Sequence, residues 1–274
     1  MKPTIRPIQI PGRVRLEFAE QGSQSGMPVI ALHGVTDSWR SFEPVLPYLP
    51  ADLHVMALTQ RGHGDSDKPA GGYDPADFAA DVAGFMDEMK IERAVLVGHS
   101  MGTVNAMRFA IAHPSRVAGL VLAGTVPWFG RSPEVRNFYD ELIAPLADPV
   151  PEDFARGFQE STLARPIAAA MLERFVAESL KVPAHVWRAA FTGFIGDDFS
   201  PLLRTIEAPT MIVWGRHDGF CSASDQQAML GLIRTARLVE YADAGHAVHW
   251  EEPQRFARDL IGFVTSVAAG AATA

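Results

Sequence analysis

"VLVGHSMGTV", residues 95–104, decides how the chain is read. Strand-forming Val95, Leu96 and Val97 run straight into Gly98-His99-Ser100-Met101-Gly102. A helix-compatible stretch, "MGTVNAMRFAIAH", follows and stops at Pro114. A serine with glycines two residues to either side, set between a buried strand and a helix, is the G-x-S-x-G turn. A side chain at 98 or 102 would meet the crossing backbone, so both positions need glycine. The turn lifts the Ser100 hydroxyl above the sheet, beside the positive end of the next helix dipole.

The same rhythm extends outward from this turn. Short apolar runs that end near glycine recur at 28–34, 54–62, 93–100, 117–125, 209–215 and 236–245. They read as strands buried on both faces. Between 74 and 90, Phe78, Val82, Phe85 and Met89 recur at helical spacing. Strands alternating with helices predict a mostly parallel sheet covered on both faces. Residues 13–22, "RVRLEFAEQG", alternate and predict an antiparallel edge strand.

From about 126 to 203 the strand signal stops. Eight prolines lie in that stretch, and four open helical patterns: "SPEVRNFYDEL", "PEDFARGFQES", "PIAAAMLERFVAESL" and "PAHVWRAAFTGF". Proline suits a first helical turn because its missing N–H has no partner there. The expected organisation is a core of 1–126 and 204–274 carrying a helical cap over 127–203. Loops at the C-terminal edge of such a sheet surround the ligand crevice, which makes the cap a lid.

Bulk properties exclude several classes. The chain has 274 residues, 47% hydrophobic and 20% charged, with a net charge of −8. An acidic chain without a basic cluster is not expected to bind nucleic acid. Cys221 is the sole cysteine, so no intrachain disulfide forms. No apolar run is long enough for a membrane span, and the N-terminus lacks the apolar centre of a signal peptide. A cytoplasmic protein without membrane or nucleic-acid partners is therefore expected. The terminal "VAAGAATA" is expected to fray. No nucleotide or metal motif occurs, so neither a cofactor nor a metal is expected.

These features resemble the α/β-hydrolase superfamily over about residues 13–265. The resemblance implies a mostly parallel eight-stranded sheet and a nucleophile, acid and histidine in that chain order. Ser100 stands as the nucleophile. A serine needs a base, and the family places its histidine directly after a glycine in the loop behind the last strand. In "DAGHAVHWEEP" that is His246, with His249 supporting the loop. The acid implied is Asp218 in "IVWGRHDGF". Asp225 is the nearby rival, but it stands where a helix begins. The preceding strand end, "LVLAGTVPW", offers no carboxylate to replace Asp218.

The His33-Gly34 pair resembles the family's oxyanion loop, which implies the N–H groups of Val35 and Met101 as oxyanion donors. His33 is expected to brace that loop, and His99 to pack under the turn. "QRGHGDSDKP" (60–69) is expected to tie loops together, and Cys221 to be structural. Serine in place of aspartate disfavours dehalogenase and epoxide-hydrolase chemistry. "HGVTDSW" matches neither the H-G-x-G-P-G loop of meta-cleavage hydrolases nor the lipase H-G-G-G. Hydrolysis of an ester, lactone or thioester of a medium-sized apolar substrate is the leading expectation. A C–C hydrolase, a cofactor-free perhydrolase (haloperoxidase-like) and a slow-turnover receptor are the alternatives. Trp128, Phe129, Trp187, Phe191 and Phe194 are the cap aromatics available to a substrate, with Trp128, Trp187 and Phe191 foremost.

Overall fold

The computed structural model describes residues 2–271. Eight strands form one sheet: β1 (Thr4–Gln9), β2 (Arg15–Gln21), β3 (Pro28–Leu32), β4 (His54–Thr59), β5 (Ala94–His99), β6 (Val117–Ala123), β7 (Thr210–Gly215) and β8 (Ala236–Tyr241). Their order is β1-β2-β4-β3-β5-β6-β7-β8. β1 and β2 pair antiparallel, as do β2 and β4, and every other pairing is parallel.

The strand alternation sorts side chains onto two cores. Ile30, Leu32, Leu96, Leu120 and Leu122 face one side, against Phe78 and Phe85 of α1 (Pro75–Glu88) and Phe109 of α2 (Met101–Ala112). Val29, Val95, Val97 and Val121 face the other. There they meet Trp39, Phe42 and, from the C-terminal helix Pro253–Ala271, Phe256, Leu260 and Phe263. Burying a side chain of this size stabilises the fold by about 1.5–3 kcal/mol.

Two strand expectations need correction. Residues 15–21 are antiparallel but not the edge, because β1 lies outside them. β1 escaped notice because Pro7 interrupts its pattern, yet proline is tolerated on an edge strand. β8 is the opposite edge and only its last residue, Tyr241, is buried. The C-terminal helix continues through Val267 to Ala271, so the expected fraying does not begin at 267. Residues 272–274 lie outside the described residues.

The segment between β6 and β7 is helical, as its prolines predict. α3 (Pro133–Phe138) continues as a π-helical turn over Tyr139–Ile143. α4 (Glu152–Ser161), α5 (Ala169–Ser179) and α6 (Ala184–Gly196) follow. The segment is tied to the sheet domain at several points. Phe175 of α5 stacks on Trp250, ring centroids 4.1 Å apart. Lys181 pairs with Asp65 at 2.8 Å. No helix among the described residues is long and apolar enough to cross a membrane.

Candidate active site

Ser100 follows β5 and caps α2, with φ 51° and ψ −119°. That is left-handed backbone, rare for a non-glycine residue and held only where the surroundings over-determine it. The turn is tied down by the Ser100 N–H donating to the Ala123 carbonyl at 2.9 Å. Thr103 Oγ1 also donates to the Ser100 carbonyl at 2.7 Å. A Cβ on Gly98 would stand 2.5 Å from the Gly102 carbonyl oxygen, and one on Gly102 would stand 2.1 Å from that of Leu32. Both obstacles are main chain and cannot swing aside. Gly102→Ala is therefore expected to destabilise the protein by roughly 3 kcal/mol or more, measured by urea unfolding.

The acid loop follows β7 and the histidine loop follows β8. His246 Nδ1–H donates to Asp218 Oδ2 at 2.8 Å. The Asp218 carboxylate is fully buried. Its Oδ1 accepts the N–H groups of Phe220 at 2.8 Å and Cys221 at 3.0 Å. The loop thus holds Asp218 as an acceptor, and the acceptor fixes the His246 tautomer with Nε2 unprotonated. Asp225, the rival acid, instead forms a capping box with Ser222 at the start of α7 (Ala223–Leu232). His249 is fully buried, with Nε2 3.0 Å from Ser41 Oγ. Burial lowers its pKa to about 3, so it stays neutral.

The loop after β3 is braced from below. His33 Nδ1–H donates to the Gly34 carbonyl at 2.7 Å, and Nε2 accepts the Gln60 N–H at 2.9 Å. Burial holds His33 well below the usual histidine range. Among the described residues the Val35 N–H donates to no backbone carbonyl. Met101 is the first residue of α2, where an N–H has no intrahelical acceptor. These are the properties an oxyanion donor needs.

Above the serine lies a cavity of about 450 Å³. Its wall includes Ser100, His246, Asp218 and Val35, together with six phenylalanines. Of the three foremost cap aromatics, Phe191 is on the wall and Trp128 and Trp187 are not. Helical spacing aligns Trp187 with Phe191, but Trp187 packs one turn away against Phe154 and Phe158 of α4, at 5.5 and 5.2 Å. Its fully buried ring belongs to the cap's own core. Trp128 turns its indole N–H to the Ile195 carbonyl at 2.7 Å. Phe129 and Phe194, the other cap aromatics of the sequence reading, do line the cavity.

Sequence reasoning missed Asp37 and Gln159. Asp37 stands two residues beyond Val35 and lines the cavity, although it is only 3% exposed. Gln159 Nε2 donates to Asp37 Oδ1 at 2.9 Å from α4, and Ser41 Oγ donates to Oδ2 at 3.2 Å. The "HGVTDSW" loop displayed the carboxylate, but its partner comes from a segment 122 residues away. Burial pushes the Asp37 carboxyl up from 3.8 to about 7, against the hydrogen bonds from Gln159 and Ser41 and the nearby His246.

That shift has a sign. The folded state holds this proton more tightly than the unfolded chain. The group's stabilising contribution is full below about pH 4, falls as pH rises toward 7 and stays lost above it. Isosteric Asp37→Asn is expected to be more stable than wild type at pH 8, by up to about 4 kcal/mol. The gain should shrink to nothing near pH 4. Urea midpoints across that range measure it.

Among the described residues, Asp218, Cys221 and His246 are the one group of possible metal ligands, with donor atoms within 4.8 Å of one another. Distance along the chain hid this group from the sequence. Its members already bond to each other or to the loop, and burial pushes the Cys221 thiol up, away from the ligating thiolate. Residues 60–69 tie loops together: Arg61 pairs with Asp81 of α1 and donates to the Gly72 carbonyl at 2.8 Å.

Residues 27–253 match the alpha/beta hydrolase fold family, and the chain belongs to it. It is 27% identical to a non-heme chloroperoxidase of Streptomyces lividans, covering 91% of this chain and 95% of that protein. It is 28% identical to a 2-hydroxy-6-oxononadienedioate/2-hydroxy-6-oxononatrienedioate hydrolase of Paraburkholderia xenovorans, over 92% and 91% of the two chains. The structure of an esterase from Rhodococcus sp. superposes with a TM-score of 0.82 at 26% identity, covering 97% of this chain and all of that one.

Proposed function

We propose that the protein is a serine hydrolase that cleaves a carboxylic ester or lactone of a medium-sized, largely apolar substrate. The observation that carries this reading is the His246–Asp218 hydrogen bond beside a strained Ser100, all three opening on one phenylalanine-walled cavity. His246 takes the Ser100 proton as the oxygen attacks the carbonyl carbon. The N–H groups of Val35 and Met101 hold the developing oxyanion. The alcohol leaves with the proton from His246, and water then attacks the acyl-enzyme by the same route. The helices over residues 127–203 act as the lid.

Among the described residues no lysine or arginine lines the cavity. That counts against the dioate chemistry in the name of the Paraburkholderia relative, whose carboxylates would meet no cation here. The chloroperoxidase relative supports perhydrolysis as the second reading, in which peroxide replaces water in deacylation. A p-nitrophenyl ester series from acetate to dodecanoate tests the first. It expects multiple turnovers with an optimum at intermediate chain length. No turnover by wild type at any length contradicts it.

A further inference from the structure

The charged groups on the cavity wall all have one sign. They are Asp37, Glu134, Asp218 and Asp225. Asp218 is answered by His246 at 2.8 Å. Among the described residues the other three have no lysine or arginine within ion-pair distance: Asp37 has only His99, at 3.9 Å. Glu134 accepts from Ser132 Oγ and Asp225 from Ser222. Glu134 is exposed and Asp225 half-buried, which puts them at the mouth, whereas Asp37 is on the inner wall.

An independent feature lies beside Asp37. His99 Nε2–H donates to the His246 carbonyl at 3.2 Å, which leaves Nδ1 as the acceptor of a ring kept neutral by burial. That Nδ1 is buried without a hydrogen-bond partner, and the His99 side chain lines the cavity. A Cβ on Gly34 would stand 2.9 Å from it and 3.2 Å from Asp37 Oδ2. Glycine thus keeps a side chain out from between two acceptors that stand 3.9 Å apart. The group that satisfies both is a donor with more than one hydrogen. The remaining wall is aromatic, and ring faces attract cations. The net charge of −8 further draws cations toward the molecule.

We propose that this cavity is selective for organic ammonium compounds, an apolar or aryl body carrying a protonated amine, with the ammonium held between Asp37 and His99. The preferred substrates are then cationic esters. The inference rests on the proposed function only in taking this cavity as the substrate site, and its test involves no chemical step.

Three ligands of one shape differ only in charge: 4-phenylbutylammonium, 4-phenylbutanol and 4-phenylbutanoate. Binding of each to the wild-type protein is measured by calorimetry at pH 8.5. There Asp37 is ionised and an alkylamine, with a pKa near that of lysine at about 10.4, stays protonated. The ammonium ion is expected to bind at least about tenfold more tightly than the carboxylate, with the alcohol between them. Asp37→Asn should shrink the ammonium-to-alcohol ratio severalfold, its melting curve showing that it is folded. The surface double variant Glu134→Gln/Asp225→Asn should weaken ammonium binding and its salt dependence. Equal binding of all three ligands, as when water alone fills the gap, overturns the proposal. So does preference for the carboxylate, or a ratio unchanged in both variants. Failure here with Ser100-dependent ester turnover intact would leave the hydrolase reading standing.

Discussion

Ser100→Ala is expected to lower kcat on a p-nitrophenyl ester by roughly 10⁴–10⁶-fold. The substitution removes one oxygen and leaves the turn in place. Alanine must adopt the same backbone, φ 51° and ψ −119°, which the Ala123 and Thr103 hydrogen bonds enforce. Binding should therefore survive, and KM should move far less than kcat. What is lost is the acyl-enzyme, because alanine has no oxygen to attack the carbonyl. Steady-state kinetics with a thermal melt of the variant checks both halves. A variant that keeps more than a few per cent of wild-type turnover would place the nucleophile elsewhere.

Asp218→Asn is the second large effect, about 10⁴-fold in kcat. The physical cause is a tautomer. Asp218 Oδ1 is fixed by the N–H groups of Phe220 and Cys221, and an asparagine oxygen keeps those bonds. Its NH₂ then faces His246 Nδ1, which must accept rather than donate. Nε2 becomes protonated and cannot take the serine proton. The size of the loss should far exceed any change in stability, since the two side chains are nearly isosteric. Comparing kcat with the urea midpoint separates the two quantities. If activity falls only as far as stability does, Asp218 has a structural role and the acid lies elsewhere.

That Ser100, Asp218 and His246 meet at one cavity was legible for a local reason. Each stands just beyond a strand, and a parallel sheet brings all of its strand ends to one edge. Glycine at 98 and 102 marked the turn because a Cβ there meets main chain. Features made by contacts between distant segments left no such mark. Asp37 was visible as a letter, but its burial depends on Gln159 arriving from α4. Trp187 and Phe191 share a helical face in the sequence, and only the packing of α4 decides which reaches the cavity. β1 was invisible because an edge strand pairs on one side only, so Pro7 is allowed and alternation is weak.

Asp37 ties stability to specificity. A carboxylate in a mostly apolar wall lowers stability above pH 7, and an asparagine of the same shape would not. A carboxyl perturbed in this way on a cavity wall is a candidate for the site's chemistry. In this account it provides the charge that a cationic substrate meets beside the nucleophile.

Ser100 is proposed as the activated nucleophile of a serine hydrolase. Labelling with an alkyl fluorophosphonate, read by intact-protein and peptide mass spectrometry, tests it most directly. A single adduct per chain is expected, located at Ser100, and slowed by orders of magnitude in His246→Ala. An unmodified protein, or an adduct on any other residue, would contradict it.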